Sequence, residues 1–329
     1  MENIYVIGSG SFGCALSLVL SDNGHKVHLI SHSKEECERL STVHTSSKLP
    51  NVKLPENIIH AADISNIKEA DLIVLALPST KTREVAMTLL DKIRAGQRIV
   101  SVSKGIEEST LYTQSEILRE VLPESVIGIL SGPSHAEEVV KRLPTVVVAG
   151  SKDPKLAEYM QDIFMNSNFR VYTSDDVVGM ELGGSLKNVI AIAAGIADGL
   201  GFGDNIIAAL ITRGIKEISS LAISMGARAD TLAGLCGVGD LIVTCQSKHS
   251  RNRRAGSLIG SGLSPEAAMA EINMVVEGFF SAKAAKRLGE KYKVDLPIIE
   301  EVNNVLFYGK EPKVSVKDLM EREKRPEHS

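Results

Sequence analysis

Between residues 4 and 173 seven short apolar runs recur: IYVIG (4–8), KVHLI (26–30), LIVLAL (72–77), RIVSVS (98–103), VIGIL (126–130), TVVVAG (145–150) and FRVYT (169–173). Amphipathic segments of helix length separate most of them. Runs that are apolar throughout, rather than alternating, belong to strands covered on both faces, and helical connections let such strands run parallel. The pattern specifies a doubly wound α/β domain of Rossmann type. After Thr173 the strand runs stop, and DDVVGMELGGSLKNVIAIAAGI, DNIIAALITRGIKEISSLAISMG, SPEAAMAEI, EGFFSAKAAKRLGEKYK and LPIIEEVNNVLFYG carry apolar residues at helical spacing with Gly or Pro at their ends. The expectation is an α/β chain with an N-terminal Rossmann-type parallel sheet (1–175) and an all-helical C-terminal domain (176–329), closely packed because no Pro/Ser-rich linker divides them. Only the tail EREKRPEHS reads as frayed.

Composition narrows the partners. With 43% hydrophobic and 24% charged residues the chain is an ordinary globular one. A net charge of -4 offers no general attraction to nucleic acid or anionic lipid, so an anion must be held by a local basic cluster. Cys14, Cys37, Cys236 and Cys245 form no C-x-x-C or other metal-ligand spacing, which points to reduced thiols and no metal site. The opening MENIYVIG enters a strand at once, without a basic and then apolar leader, and the longest apolar run, VIAIAAGIA, is far shorter than the roughly 20 residues of a membrane span. A cytoplasmic protein with no membrane span is expected.

The first run continues into IYVIGSGSFGCAL, which places Gly8, Gly10 and Gly13 as G-x-G-x-x-G between a strand and a helix. In that context the glycines serve a tight turn, close approach to a pyrophosphate and close helix packing, while the helix N-terminus offers N–H groups to phosphate. At the end of the second strand, where an NAD site usually carries an acid on the ribose, the chain reads LISHSKEE. No carboxylate there repels a 2′-phosphate and Lys34 attracts one, so NADP(H) is favoured with NAD(H) tolerated; the competing reading is that Lys34 merely starts a solvated helix. Lys104 in VSVSKGI, and Gly132, Ser134 and Ala136 in GILSGPSHAEE, also follow strand ends, where open parallel sheets bind ligands.

ELGGSLKNVIAIAAGIADGL sets Lys187 and Asn188 in an almost wholly apolar helix. Gly183, Gly184 and Ala191 lie one turn either way from Lys187, and Ala194 two turns on. Two readings fit: a close helix crossing with the lysine snorkelling out, or a small polar ligand docked against a desolvated amine able to exchange protons with an alcohol and ketone pair. In GVGDLIVTC the glycines mark a bend, so Asp240 is expected on a loop where it pairs with Lys187 or only caps a helix; Thr244 shares its face. KHSRNRR is the basic cluster, a receptor for a phosphate dianion or a solvated surface; the lack of interleaved aromatics weakens a nucleic-acid role.

With GSGSFG, SKGIE, SGPSHAEE, ELGGSLKNVIAIAAGIADGLGFGDN, LITRG, LAGLCGVGDLIVTC, SRNRRAG and VVEGFFSAKA in order, the sequence resembles the NAD(P)-dependent glycerol-3-phosphate dehydrogenases of the bacterial cytosolic type. The resemblance implies reversible hydride transfer between NAD(P)H and dihydroxyacetone phosphate, giving sn-glycerol 3-phosphate for phospholipid synthesis by a homodimer. It implies that Ser11, Phe12 and His32 touch the cofactor, that Lys104 spans cofactor and substrate, that Gly132 and Ser134 hold the substrate, and that Ala136 meets the nicotinamide. Lys187 would accept the alcohol proton; Asp240, Ser250, Arg251 and Asn252 would bind glycerol phosphate; Arg251, Val275 and Glu277 would reach the cofactor; Asn188 and Thr244 would line the site. Departures are Phe12 where many relatives have Trp, the lack of the Arg that many carry near His32, and QSKHS where many have a Ser-Pro-containing segment before SRNRR. The alternatives are another two-domain reductase, of hydroxyacid or ketopantoate type, and a non-enzymatic NADP sensor.

Overall fold

The computed structural model describes residues 1–324, 326 and 327. Strands and helices interleave first: β1 (Asn3–Ile7), α1 (Ser11–Asp22), β2 (Lys26–Ile30), α2 (Lys34–Val43), β3 (Thr45–Ser46), β4 (Leu49–Lys53), β5 (Ile59–Ala61), β6 (Leu72–Leu75), α3 (Thr82–Leu89), β7 (Arg98–Ser101), α4 (Gln114–Val121), β8 (Val126–Ser131), α5 (Ala136–Val139), β9 (Thr145–Ser151), α6 (Pro154–Phe164) and β10 (Phe169–Ser174). Helices follow: α7 (Val177–Gly199), α8 (Asp204–Ser224), α9 (Ala229–Ala233), α10 (Asp240–Gln246), α11 (Arg251–Gly260), α12 (Pro265–Ile272), α13 (Glu277–Tyr292), α14 (Pro297–Phe307) and α15 (Pro312–Met320).

The main sheet has the order β10-β9-β8-β7-β6-β1-β2-β5. Alternate residues of β1 feed separate apolar layers on its two faces, Ile4 and Val6 into one, Tyr5 and Ile7 into the other. That double burial is what the unbroken Val/Ile runs provide for. One expectation fails here: β9 runs antiparallel to β8. The connection between them holds only the four-residue α5, too short to carry the chain back to the far edge, so β9 starts from the end where β8 stopped. The longer α6 then restores a parallel pair between β9 and β10. Also unforeseen are the small β3–β4 hairpin and the three-residue edge strand β5, both too short for a periodicity to register.

Helix α7 is the axis of the second half. By length and composition it is apolar enough to cross a membrane, more than its longest unbroken run indicates, yet 89% of that stretch is buried inside the protein. Its tightest neighbour is α11. A Cβ built on Gly195 would lie 2.0 Å from the Arg253 carbonyl oxygen, and one on Gly256 2.1 Å from that of Ile192. Gly199 and Gly260 repeat the arrangement one turn on, so the two helices meet backbone to backbone.

The GVGD bend is a π-helical turn, Leu235–Gly239, running straight into α10. Asp240 is therefore the first residue of a helix rather than a loop residue. The SRNRR cluster likewise opens a helix, α11, with Ser250 as its cap: its hydroxyl accepts from the Arg253 N–H at 3.2 Å. In the tail, Arg322 donates to Asp295 at 2.7 Å and Lys216 to the Glu327 carbonyl at 2.9 Å. The expectation of fraying also covers Arg325, His328 and Ser329, which lie outside the described residues.

Candidate active site

The strand order reverses between β1 and β6, and the segments leaving the carboxyl ends of β1, β6, β7 and β8 gather there. Gly8 has φ +114°, a conformation open to glycine, and a Cβ on it would collide with the Ala76 carbonyl oxygen at 2.3 Å. Around Gly10 the opposite holds: a Cβ there would meet nothing within 4 Å, which is the cradle a pyrophosphate needs. Gly10 is also the N-cap of α1 and no side chain caps it, so the first N–H groups of α1 remain for an anion. The residues present fit a dinucleotide. Ser11 donates to the Lys48 carbonyl at 3.3 Å and Phe12 packs on the core beneath. His32 and Lys34 are exposed at the end of β2; Lys34 is the first residue of α2, which Ser33 caps, and Glu36 is occupied by the Ser46 hydroxyl at 2.8 Å.

Lys187 does not snorkel: it is 6% exposed. Its ammonium donates to Asp240 Oδ1 and, at 2.6 Å, to Thr244 Oγ1, one turn further along α10. Asp240 Oδ2 accepts from Lys104 at 2.7 Å, and Lys104 also donates to the Gly132 carbonyl at 2.9 Å. Two lysines from the two halves of the chain thus share one carboxylate. Burial pushes the Lys187 pKa down to about 8, against the pull of Asp240 and with the help of Lys104. Burial alone would raise Asp240, but Lys104 and Lys187 more than reverse this and hold it below its ordinary value. The small residues near Lys187 do not leave a void. Gly183 admits the backbone of the π-turn, where a Cβ would stand 2.4 Å from the Cys236 carbonyl oxygen, and Gly184 admits the stem of Lys104. Of the first reading the close crossing is present and the snorkelling is not; of the second, the amine is desolvated.

Asn188 Oδ1 accepts from the Asn252 side-chain amide at 2.9 Å, and Asn252 Oδ1 accepts from the Gly278 N–H, also at 2.9 Å. This relay ties α7, α11 and the start of α13 together beside Lys187. Arg251, exposed in the first turn of α11, has no side-chain hydrogen bond or ion pair among the described residues and is near enough to Glu277 to act on its charge. Glu277, the first residue of α13, accepts from the Ser79 N–H at 3.0 Å and from the Ser79 hydroxyl. Desolvation raises its pKa, with Ser79 opposing. Ser134 donates to the Gly132 carbonyl at 3.0 Å, Ala136 is buried at the start of α5, and Val275 is half-buried just before α13.

Lys104, Gly132, Lys187, Asp240 and Thr244 are thus joined in one network, and Asn188, Ser250, Arg251 and Asn252 lie beside it through the α7–α11 crossing. Ser79 and His135 escaped notice. Ser79 follows the LIVLAL run, so the same strand-end rule that picked Lys104 would have found it; His135 stands inside the GPSHAEE stretch but was given no role.

Family models for the N-terminus and the C-terminus of NAD-dependent glycerol-3-phosphate dehydrogenase match residues 3–157 and 176–317. A glycerol-3-phosphate dehydrogenase (NAD(P)+) of Agathobacter rectalis is 57% identical across 100% of this chain and 98% of its own. The crystal structure of glycerol-3-phosphate dehydrogenase from Coxiella burnetii superposes with a TM-score of 0.94 at 34% identity, covering 98% of this chain and 99% of the other. A ketopantoate reductase from Ralstonia eutropha reaches a TM-score of 0.61 at 16% identity, covering 95% of this chain and 99% of its own, a likeness of fold alone. The chain accordingly belongs to the NAD-dependent glycerol-3-phosphate dehydrogenase family.

Proposed function

We propose that this protein reduces dihydroxyacetone phosphate to sn-glycerol 3-phosphate, reversibly and for glycerophospholipid synthesis, with Lys187 as the group that exchanges the alcohol proton. The observation that carries the residue assignment is the shared carboxylate: Asp240 holds Lys187 and Lys104 at the junction of the two halves. Residues 1–175 are read as the dinucleotide domain and 176–329 as the substrate domain, in a cytoplasmic homodimer as the resemblance implies.

The nicotinamide cofactor, when bound, supplies the hydride. Gly8, Gly10, Ser11, Phe12 and Gly13 would hold its pyrophosphate end, with His32 and Lys34 toward the ribose, and Lys104, Ala136, Val275 and Glu277 toward the nicotinamide side. The chain's remaining task is to fix the ketone and deliver a proton. Ser250, Arg251 and Asn252, at the N-terminus of α11, would seat the phosphate, where a guanidinium and free N–H groups suit a dianion. Binding energy gathered at that remote end would hold the carbonyl oxygen against the Lys187 ammonium. Asp240 and Thr244 fix the amine's position, and Lys104, Gly132 and Ser134 would close the near side of the substrate. The experiment is direct: NADPH absorbance falls on adding dihydroxyacetone phosphate, and a flat trace sinks the reading.

Two further outcomes follow from the site. Ketone reduction needs the protonated amine, so with Lys187 pushed down to about 8 the rate of reduction is expected to fall as pH rises through about 8, while glycerol 3-phosphate oxidation rises over the same interval. Initial rates in both directions between pH 6 and 10 check the crossing limbs. At the adenosine end, Lys34→Glu is expected to raise KM for NADPH about tenfold, in the range of one lost charge-assisted contact, and to leave KM for NADH unchanged. Equal effects on both cofactors would remove Lys34 from the 2′-phosphate site.

A further inference from the structure

The amine of Lys187 is buried, so a proton it gives away must be replaced from somewhere. Its two partners are poor sources. Asp240 is held ionised by Lys104 and Lys187, and the Thr244 hydroxyl spends its hydrogen on the Asp240 main-chain carbonyl. Lys104, the other ammonium on Asp240, is also bound to Gly132.

One further titratable side chain lies within reach of the Lys187 and Asp240 charges. His135, the residue preceding α5, is half-buried, and its Nε2 is buried without a hydrogen bond of proper geometry. The ring of His249, exposed in the QSKHS segment between α10 and α11, lies 6.0 Å from it with the planes inclined by 56°. One ring belongs to the sheet half and the other to the helical half, adjacent to Ser250. The groups acting on His135 are Lys187 on α7, Glu137 on α5, Asp240 and the Val243 carbonyl on α10, and His249 faces its ring. Burial lowers the His135 pKa most, and the charge of Lys187 lowers it next.

We propose that His135 and His249 form a proton path between the Lys187 amine and solvent. In each reduction the carbonyl carbon gains the hydride and its oxygen takes one proton from the Lys187 ammonium, leaving a neutral amine. That amine takes a proton from the His135 imidazolium, which is refilled from water through His249. One solvent proton is consumed per ketone reduced, and no redox partner beyond the nicotinamide cofactor is needed. The transfer to Lys187 runs downhill, because the imidazole binds its proton less tightly than the amine does. His135 acts through Lys187 and not on the substrate, so the path rests on Lys187 being the proton donor.

The test measures steady-state reduction for the full-length His135→Ala, His135→Gln and His249→Gln variants from pH 6 to 9. Expected for His135→Ala is a kcat lowered about tenfold with both KM values unchanged, most severely at alkaline pH, and restored by free imidazole in proportion to the imidazolium present. His249→Gln, at an exposed position, should show a smaller loss of the same pH form. A parent-like pH profile in His135→Gln, or a loss equal at every pH that imidazole does not repair, overturns the path. If the His135 variants fail to fold, as judged by circular dichroism, an unchanged pH profile in His249→Gln overturns it by itself. Lys187→Ala separates the levels: inactive Lys187→Ala with parent-like histidine variants removes the path alone, whereas active Lys187→Ala removes the donor and the path together.

Discussion

Lys187→Ala is expected to lower kcat for dihydroxyacetone phosphate reduction by about 10²- to 10⁴-fold, the range in which positioned proton transfer contributes, with little change in NADPH affinity. The loss should fall on turnover because Lys187 lies in α7, away from the glycine turn proposed to cradle the pyrophosphate. Collapse of the fold is not the expected cause. Burial of the ammonium disfavours its charged form by a shift from 10.5 to about 8, on the order of 3 kcal/mol, so its removal lifts a penalty as well as a contact. The sign is that of a base with a depressed folded pKa: the penalty is full below about pH 8 and fades toward 10.5. Asp240 keeps Lys104 as a partner in the variant. Fluorescence titration with NADPH and a thermal melt, run beside the kinetics, separate lost chemistry from lost structure. Turnover near the parent level would remove Lys187 from the reaction.

A comparable loss is expected from a position that touches no ligand. Gly195→Val puts a branched side chain where even a Cβ would lie 2.0 Å from the Arg253 carbonyl oxygen. The obstacle is main chain, so no rotamer change relieves it, and α11 must move away from α7. Overpacking of this kind costs about 1–3 kcal/mol and sometimes more. The functional cost should exceed the thermodynamic one, because Ser250, Arg251 and Asn252 ride on the displaced helix and the Asn252–Asn188 bond crosses the same seam. A misplacement of about 1 Å lowers turnover roughly 10²-fold. Urea denaturation should show a lower midpoint with a folded baseline intact, and KM for dihydroxyacetone phosphate should rise more than KM for NADPH. Parent-like values for both would mean the crossing is looser than its glycines indicate. Gly256→Val, which approaches the Ile192 carbonyl oxygen from the opposite helix, should reproduce the effect.

Much of this site was legible in one dimension because its chemistry depends on residue type at strand ends. Gly8, Lys104 and Gly132 each follow a run that reads as a strand, and the sheet rule alone sends them to one cleft. Lys187 declared itself by contrast, as a charge in an apolar helix. Other features were hidden for identifiable reasons. The direction of β9 leaves no trace in TVVVAG, since parallel and antiparallel interior strands bury both faces alike; only the shortness of α5 decides it. Helix α11 was masked by its own charges, because a helix that packs through Gly256 and Gly260 carries a sparse apolar stripe. The two glycines before Asp240 point to a loop, whereas the π-turn uses Gly237 to fold back on Leu232 and then continues as a helix. The Ser79–Glu277 contact joins residues 198 apart, a distance that no local pattern spans.

The glycine seam between α7 and α11 carries one more consequence. Where two helices touch through main chain, the gap between them is set by bond geometry and not by side chains that could swell or shrink. Lys187 and the proposed phosphate seat at Ser250–Asn252 are mounted on either side of that gap, so in the proposed reaction they would work together as a caliper of fixed jaw. A phosphorylated ketone with its carbonyl one carbon further from the ester would meet one jaw or the other, but not both.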